Sequence, residues 1–289
     1  MPDKFTAVWV SHSSISDFLK CPRAYYLKNV YKDPHTGNKI TLMNPALALG
    51  QTVHAVLESL SVLTVDERLT KKPLLARFDE EWKKVTGEKG GFFDADHEYK
   101  YKKRGEEMLK RVYNNPGPVG KKAIKLKDNL PSYWFSEEEG IILCGKIDWM
   151  EYIEDEDSVH IIDFKTGRKK EDENSLQLSI YHLLALNCQK RKVSHASYWY
   201  LEMEDRCERV ALPDQDDARK KILDIARKIK LARALKKFDC HHGGCPACLE
   251  MEKIINGEGK FIGQDGYRRD VYVLSCAVKN NDENESMIL

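Results

Sequence analysis

A carboxylate and an ammonium lie two residues apart in the run HIIDFKTG at residues 160–167, which is otherwise apolar and rich in β-branched residues. Such a run is typical of a β-strand, in which residues i and i+2 point to the same face of the sheet. Asp163 and Lys165 are therefore predicted to share one face of a buried strand. Because burying an unpaired charge is costly, the presence of both charges in a buried strand requires an explanation. The pair is either a buried ion pair that holds the fold or half of a catalytic site.

The periodicity of apolar residues changes along the chain, and this change predicts the fold class. Helical patterns cover residues 11–30, 45–63, 71–86 and 97–114. Strand patterns follow, two within 132–153, one at 158–167 and one at 195–203, with helices at 173–189 and 214–237. The order predicts an α/β fold with a mixed sheet flanked by helices and a helical N-terminal section.

Length and hydropathy limit the organisation of the chain. Its 289 residues, 42% of them hydrophobic, suit one large domain. We expect a single domain at 1–275, with a helical section at 11–115, a catalytic core at 120–210, a basic helix and cysteine cluster at 212–252, and a disordered tail at 276–289. The sequence shows no run of about eighteen apolar residues and no secretory signal, so we expect a cytoplasmic protein without a membrane partner.

The overall charge does not favour a nucleic-acid partner, because 47 Lys and Arg residues stand against 46 Asp and Glu residues. The cations are clustered, however, at residues 99–111, 120–127 and 227–237. Such clusters can neutralise phosphates, although a solvated helix face is the commoner explanation for any one of them. If DNA lies between these helices, Tyr25 or Tyr26 could stack on its bases, unless both rings belong to the core.

A second carboxylate, Asp148, lies in the strand-like segment CGKIDWM upstream of the charged pair. Two carboxylates brought together by a sheet repel each other unless a cation lies between them, and such ligands suit Mg²⁺ or Mn²⁺. The ion would polarise a phosphoryl oxygen and lower the pKa of a bound water, while Lys165 would stabilise the developing charge. Gln177 and Tyr181 are four residues apart on a predicted helix and share its face, and His54 on another helix is a further candidate ligand.

In this order and spacing, the residues resemble the RecB-like branch of the PD-(D/E)XK nuclease superfamily. The motifs are G-x-x-x-H at 50–54, G-x-[IV]-D at 145–148, D-F-K-T-G at 163–167, Q-x-x-x-Y at 177–181 and SHSSISDFLKCPRAYYL at 11–27. The resemblance implies a restriction-endonuclease-like fold and metal-dependent hydrolysis of DNA phosphodiesters. It implies His54, Asp148 and Asp163 as metal ligands, and the catalytic set Asp148, Asp163, Lys165, Gln177 and Tyr181.

Many members of this branch also hold an iron–sulfur cluster between one N-terminal cysteine and three C-terminal ones. Here the resemblance implies a [4Fe–4S] cluster on Cys21, Cys240, Cys245 and Cys248. The spacing departs from the family pattern, in which a C-x-x-C pair is followed by the last cysteine, because Cys240 precedes the pair. A zinc site that combines the three C-terminal cysteines with His241 or His242 is an alternative, and so is the absence of a metal.

The layout is closest to the CRISPR-associated iron–sulfur exonuclease. This implies an exonuclease acting on single-stranded DNA or duplex ends, in CRISPR adaptation, recombination or repair, with an integrase or recombination complex as a partner. A catalytically inactive DNA-binding or scaffold member of the same fold is the alternative. A nucleotide-binding enzyme is disfavoured, because GIILCGKI at 140–147 nearly matches a phosphate-binding loop but lacks its hydroxyl residue and a following helix.

Overall fold

The computed structural model describes residues 3–70 and 72–274, without the side chains of residues 69 and 70. The tail predicted at 276–289 lies outside these residues, and the division into a single domain stays a prediction. Across the described residues, every helix is too short or too polar to span a bilayer.

The described helices follow the predicted periodicity closely in the N-terminal section and add short elements between the long ones. They are α1 (His12–Lys20), α2 (Pro22–Tyr25), α3 (Pro45–Leu60), α4 (Val65–Thr70), α5 (Leu74–Trp82), α6 (Ala95–Asn114), α7 (Gln177–Cys188), α8 (Gln215–Leu235) and α9 (Pro246–Ile255). A π-helical turn at Tyr26–Val30 extends α2, and 3₁₀ turns lie at Gly87–Gly90, Gly117–Gly120 and Glu154–Glu156.

The described strands form three hydrogen-bonded ladders. They are β1 (Val8–Val10), β2 (Ile40–Leu42), β3 (Ser132–Ser136), β4 (Ile141–Cys144), β5 (Trp149–Ile153), β6 (Ser158–Lys165), β7 (Lys192–Tyr200), β8 (Glu208–Val210), β9 (Gly259–Gln264) and β10 (Asp270–Leu274). The ladder orders are β1-β4-β3, β2-β10-β9 and β5-β6-β7-β8. In the largest ladder β6 is antiparallel to β5 and parallel to β7, so the predicted mixed sheet is confirmed.

Strand β6 separates two hydrophobic clusters, and its alternation assigns each side chain to one of them. Val159 and Ile161 pack into a cluster with α7 and α8, whereas Ile162 and Phe164 pack into a cluster with α3, α5 and α6. The sheet is thus covered by helices on both faces, which confirms the predicted α/β class. Asp163, at an odd position like Val159 and Ile161, faces the side of α7.

Helix α7 is not the amphipathic helix predicted at 173–189. It begins at Gln177, and every residue from there to Ala185 is buried. The cause is its position, because α7 packs against strands β3, β4, β6 and β7 on one side and against α8 on the other. A helix enclosed in this way has no solvated face, so its sequence shows no separation into an apolar and a polar face.

Two other local predictions change. The second strand predicted within 132–153 is broken into β4 and β5 at residues 145–148. The sequence S-x-x-D at Ser14 and Asp17 predicts a capping box for the first helix, but the structure places the cap at Ser11. The Ser11 side chain accepts a hydrogen bond from the amide of Ser14, and the Ser14 hydroxyl accepts one from the amide of Ser11. The hairpin β9–β10 and strands β1 and β2 were not predicted, because each is short and its pairing is non-local.

Candidate active site and cysteine cluster

Asp163 and Lys165 meet at the carboxyl end of β6, as their spacing predicted. The ammonium Nζ lies 2.9 Å from Oδ2 of the carboxylate, and Asp163 is 1% exposed. The short separation makes an ion pair, but Oδ2 has no hydrogen bond of good geometry within the described residues. One buried carboxylate oxygen is therefore left with a free lone pair, which is the feature expected of a metal ligand.

Gln177 joins the two charges from the first turn of α7. Its amide nitrogen donates to Oδ1 of Asp163 at 2.5 Å, and its amide oxygen accepts from the ammonium of Lys165. The same nitrogen lies 3.3 Å from the hydroxyl oxygen of Tyr181, one helical turn further on. Both ends of the amide are thus assigned by their partners, and the predicted i, i+4 pair lies on the face that meets the strand.

Asp148 reaches the site from the break between β4 and β5. Its Oδ2 accepts a hydrogen bond from the amide of Phe164 at 3.0 Å, and its Oδ1 lies 3.3 Å from Nδ1 of His54. The break begins at Gly145, where an added Cβ would lie 3.0 Å from Leu184 on α7. Glycine at this position therefore permits α7 to approach the strand that presents Asp148.

His54 is placed at the mouth of the site by helix α3. Side-chain exposure decreases inward, from 34% at His54 to 14% at Asp148 and 2% at Asp163. One turn earlier, Gly50 packs against the loop after β6, where an added Cβ would lie 3.2 Å from the hydroxyl of Thr166. The glycine of the G-x-x-x-H motif thus sets how closely the helix of the histidine approaches the end of β6.

Electrostatics differ between the floor and the mouth of the site. Burial, followed by the negative charge of Asp148, raises the pKa of Asp163 to about 7, although Lys165 opposes the rise. Burial lowers the pKa of His54, but the charge of Asp148 and its hydrogen bond outweigh this, and the net shift is upward. A buried carboxyl whose pKa is raised by a neighbouring negative charge indicates a site that favours an added positive charge.

Lys165 is held as an ammonium by its surroundings. Burial lowers the pKa of Lys165, but the charges of Asp163 and Glu171 raise it by more than burial lowers it. The pKa therefore lies above its usual range. Glu171 contacts Nζ at 2.8 Å, and the ring of Tyr198 lies with its centroid 5.2 Å from Nζ. A cation over an aromatic face and between carboxylates stays protonated at neutral pH.

Sequence reasoning missed Glu171 and Tyr198. Tyr198 lies opposite Asp163 in the parallel pairing of β6 with β7, and no local pattern reveals that register. Glu171 belongs to the polar loop KKEDEN, in which it cannot be told from its neighbours Asp172 and Glu173 by sequence.

His54, Asp148 and Asp163 are of the residue types that hold Mg²⁺ or Mn²⁺, and the unbonded Oδ2 of Asp163 fits such an ion. Their ligand atoms are spread more widely than those of the cysteines. The four cysteines place their ligand atoms within 4.8 Å of one another. Among the described residues, the three residues at the carboxylates do not form so compact a group. An ion at the carboxylates therefore requires Oδ2 of Asp163 to exchange its contact with Lys165 for the ion.

The four predicted cysteines come together although 219 residues separate the first from the second. Cys21 ends α1 and precedes α2, while Cys245 and Cys248 lie at the start of α9. Arg23 and Glu252 form an ion pair at 3.0 Å between the same two helices. The cluster therefore joins the N-terminal motif to the C-terminal segment.

The sulfur positions discriminate between a zinc ion and a [4Fe–4S] cluster. A tetrahedral zinc site with Zn–S bonds of about 2.3 Å separates its sulfur atoms by roughly 3.8 Å. The Sγ atoms of Cys245 and Cys248 are 3.8 Å apart, and all four sulfurs lie within 4.8 Å of one another. The Cys245–Cys248 pair matches a single tetrahedral ion, and the other sulfurs need shifts of about 1 Å or less to do so. A [4Fe–4S] cluster fits the number and type of ligands, but its four irons require the thiolates to move apart.

The environment of the thiols favours deprotonation at one position. Hydrogen bonds from the backbone at His242 and Gly244 lower the pKa of Cys240 to about 7, against a smaller opposing effect of burial. Burial raises the pKa of Cys248 to about 12. A bound cation would stabilise all four thiolates, because metal binding displaces the thiol protons.

The sequence was compared with known proteins. The model of the PD-(D/E)XK nuclease superfamily matches residues 9–249, which include every predicted site residue. No curated protein matches the sequence. A similar solved structure, from Eubacterium rectale and described as a candidate exonuclease, has 13% identity and a TM-score of 0.44, over 84% of this chain and 87% of that chain. A likeness at this level carries no information about activity.

The family match extends over more than four fifths of the chain and coincides with the mixed sheet, the flanking helices and the residues assembled around Asp163. Members of this superfamily have a restriction-endonuclease-like fold and use divalent metals. On this evidence the chain belongs to the PD-(D/E)XK nuclease superfamily.

Proposed function

We propose that this protein is a Mg²⁺- or Mn²⁺-dependent deoxyribonuclease that hydrolyses phosphodiester bonds at the carboxyl end of β6. The observation that carries the proposal is the buried carboxylate of Asp163, whose Oδ2 has the ion-pair contact with Lys165 but no hydrogen bond of good geometry within the described residues, while Gln177 fixes Oδ1. A structural ion pair needs no more than this contact, so the oxygen also retains a lone pair. A nuclease needs it for an ion.

In this proposal His54, Asp148 and Asp163 would hold the divalent ion, which would lower the pKa of bound water and neutralise the phosphate. Lys165 stabilises the negative charge that grows on the phosphoryl oxygens, since its ammonium stays protonated. Gln177 and Glu171 orient that ammonium from two sides. Tyr181 lies behind Gln177, and its contribution is to fix the amide.

The surroundings of the site favour a phosphate-rich substrate. A groove of about 710 Å³ runs along α6 and begins at Arg168, three residues after Lys165. It is lined by Lys100, Lys103 and Arg104 and by the exposed ring of Tyr99. Glu107 and Glu202 also line it, and Glu202 pairs with Arg104 and Arg168, so cations still outnumber carboxylates in the groove. Cations that follow a groove and an aromatic side chain are the features with which proteins bind single-stranded DNA.

The aromatic pair suggested from the sequence does not supply the stacking. Tyr25 is 1% exposed and packs edge-on against Phe18. Tyr26 lies against Phe238, with ring centroids 4.9 Å apart. Both rings belong to the apolar contacts between the N-terminal motif and the segment after α8, so the alternative of core packing holds.

The resemblance supports an exonuclease and a place in CRISPR adaptation, recombination or repair, with an integrase or recombination complex as partner. Cytoplasmic location belongs to the same proposal, because a reducing compartment would keep the four cysteines available for a metal. For that metal we propose [4Fe–4S] or Zn²⁺. Iron and sulfide analysis with visible absorbance, beside zinc analysis, separates the two, since only the cluster is coloured.

The decisive experiment measures cleavage of end-labelled single- and double-stranded DNA with Mg²⁺ or Mn²⁺. We compare the wild type with Asp163→Asn and Lys165→Met, and with Lys84→Met as a control that breaks the exposed ion pair of Lys84 with Glu81. Circular dichroism and thermal unfolding establish that each variant is folded. Mn²⁺ binding is measured separately by calorimetry.

We expect the wild type and the control to cut, the two site variants to lose at least about 100-fold in rate, and EDTA to stop cleavage. Asp163→Asn should also weaken Mn²⁺ binding. A folded wild type that binds DNA but cuts no DNA form with either ion would contradict the proposal. It would favour the inactive DNA-binding or scaffold member of the fold.

A further inference from the structure

A pocket of cations lies at the turn of the hairpin β9–β10, apart from the site at β6. Its volume is about 440 Å³, and it is lined by Lys32, Lys39, Tyr267, Arg268 and Arg269 together with two residues of the loop before β2. We call it the hairpin pocket. We propose that the hairpin pocket binds the phosphate backbone of the DNA substrate at a distance from the cleavage site. The proposal rests on the proposed function for the identity of its ligand.

The first argument is the lack of compensating charge. Lys32, Lys39 and Arg268 have no ion-pair partner among the residues that the structure describes, whereas Arg269 pairs with Asp265 at 2.6 Å. Within residues 3–70 and 72–274, no carboxylate lines the pocket. Three unpaired cations around one cavity repel one another, and a polyanion would relieve that repulsion.

The nearby carboxylates are occupied elsewhere. Asp270 is 1% exposed and accepts hydrogen bonds from Thr36, Asn38 and Gln264 at 2.5, 3.1 and 2.9 Å. Asp33 accepts from two backbone amides of its own loop, at 2.7 and 3.3 Å. Both carboxylates are thus held by hydrogen bonds beside the pocket, and neither forms an ion pair with its cations among the described residues.

The pKa of Lys39 reflects the uncompensated positive charge of the pocket. Although the residue is exposed, its ammonium is partly enclosed, and this burial lowers its pKa. The positive charges of Arg233, Arg269 and Lys32 lower it further. An ammonium that is crowded by other cations binds an anion more favourably than a solitary surface lysine does.

The pocket is already formed without a ligand. The amide of Asp270 donates to the carbonyl of Lys39 at 2.8 Å, which fixes the loop before β2 against the hairpin. Asp265 closes the hairpin turn by accepting from the amides of Tyr267 and Arg269 at 2.9 and 3.0 Å. Within the turn Arg268 has a φ of 58°, an unfavourable left-handed conformation, and it lines the pocket.

An aromatic ring beside the cations favours nucleic acid over a free phosphate ion. Tyr267 is 75% exposed, and the guanidinium of Arg269 lies 5.5 Å from its ring centroid. An isolated phosphate needs no ring, whereas a single strand offers a base to stack on it next to the phosphates.

The chain itself limits the distance from the hairpin pocket to the cleavage site. Lys39 leads directly into β2, and Asn44 caps the helix that carries His54. At about 3.3 Å per strand residue and 1.5 Å per helix residue, the two sites lie at most roughly 30 Å apart. DNA of about nine base pairs covers that span, so one substrate can reach both sites.

The test compares Lys39→Gln/Arg268→Gln with Lys190→Gln/Lys192→Gln. The control removes the same charge from exposed lysines at the opposite end of the central sheet, where β7 begins. Binding of 25-nucleotide single strands and 25-base-pair duplexes is followed by fluorescence anisotropy in EDTA, at several salt concentrations. Circular dichroism verifies folding, and Lys39→Gln alone is the reserve variant.

We expect the pocket variant to bind DNA roughly 10- to 30-fold more weakly at 0.1 M salt and to reduce the salt slope by roughly 1.5, because two phosphate contacts are lost. The control should bind as the wild type does. Tyr267→Trp should show a change in tryptophan fluorescence on adding DNA, after subtraction of the wild-type signal, and none on adding inorganic phosphate.

Equal affinity and equal salt slope in the pocket variant and the control overturn the inference. So does a fluorescence change in Tyr267→Trp that inorganic phosphate reproduces, which would assign the pocket to a free anion. Because binding is measured without a divalent ion, the two proposals are separable. A wild type that binds through the pocket but never cuts refutes the nuclease alone, whereas a wild type that cuts with an unaffected pocket variant refutes the pocket alone.

Discussion

Gln177 connects the two members of the buried ion pair on the floor of the site. It donates to Asp163, accepts from Lys165 and lies within hydrogen-bond distance of Tyr181. Because one amide fixes both members of the ion pair, its loss should release Oδ1 of Asp163 and one donor of the Lys165 ammonium. Both groups would then leave the orientation that the amide imposes on them.

Gln177→Ala is therefore expected to lower kcat by roughly 10- to 100-fold, as the loss of a residue that orients metal ligands commonly does. Cleavage rates over a range of Mn²⁺ concentrations measure the effect. Gln189→Ala, at the other end of the same helix, is the control. A wild-type rate in Gln177→Ala would show that the amide does not position the pair.

A second buried polar network lies on the opposite face of β6. Glu151 accepts from Lys121 at 2.7 Å and pairs with Nδ1 of His160 at 2.9 Å, and Nε2 of His160 lies 2.7 Å from the hydroxyl of Ser197. The order resembles a hydrolytic triad, but Ser197 is 0% exposed and admits no substrate. Its role is to satisfy buried polar groups.

The network predicts a pH dependence of stability. Burial raises the pKa of Glu151, but hydrogen bonds from His160 and Lys121 outweigh this and hold it below its usual value. A carboxyl with a lowered folded-state pKa stabilises the fold above its unfolded pKa of about 4.3. That contribution is lost as the pH falls through the folded-state pKa.

Glu151→Gln should therefore cost roughly 2 kcal/mol of unfolding free energy at pH 7 and progressively less below pH 4. Urea denaturation of the wild type and the variant between pH 3 and pH 7 measures the difference. Glu154→Gln breaks an exposed pair and should cost less than about 1 kcal/mol. A penalty for Glu151→Gln that is independent of pH would refute the assignment.

At the scale of elements, the cysteine cluster holds α2 against α9. The apolar contacts around it form a small cluster of their own, which includes Ala24, Leu27, Met251 and Ile254. Small apolar clusters contribute limited stability, so a bound metal that cross-links the two helices should supply much of what joins them.

Cys21→Ser should remove the metal, or the colour if the metal is iron, and lower the Tm by roughly 5 °C or more. Metal analysis and thermal unfolding of the purified protein measure both effects. Cys188→Ser, outside the cluster, should retain the metal. Full metal content in Cys21→Ser would remove Cys21 from the ligand set and leave the three C-terminal cysteines with another ligand.

At the scale of the whole molecule, Arg68 joins the helical section to the catalytic core. It is 3% exposed, and its guanidinium donates to the carbonyls of Leu60 and Leu63 at the end of α3 and of Val119 and Lys121 before β3. It also lies 5.0 Å from the ring centroid of a core tryptophan on β5. One side chain thus donates hydrogen bonds to backbone carbonyls of both the helical section and the catalytic core.

Arg68→Met should lower the unfolding free energy by about 3 kcal/mol, because buried carbonyls would lose their donors. Urea denaturation monitored by tryptophan fluorescence measures it. Arg77→Met, which removes longer contacts at the surface of α5, should cost less than about 1 kcal/mol. Equal costs for the two variants would show that Arg68 does not carry this connection.

The sequence by itself determined what short-range periodicity encodes. Two charges two residues apart on a strand and two polar residues four apart on a helix must share a face, and the structure places both pairs as predicted. The same reasoning predicted the mixed sheet and its flanking helices, because apolar patterns differ between strands and helices.

Only the tertiary structure decided which of these faces meet. The register that sets Tyr198 beside Asp163, the contact of Glu171 with Lys165 and the assembly of Cys21 with Cys240 all join residues that no local pattern relates. The break at Gly145 and the burial of α7 on all sides follow from the layers packed around them. Such contacts depend on how apolar faces fit together over the whole chain, which is a property of packing and not of local periodicity.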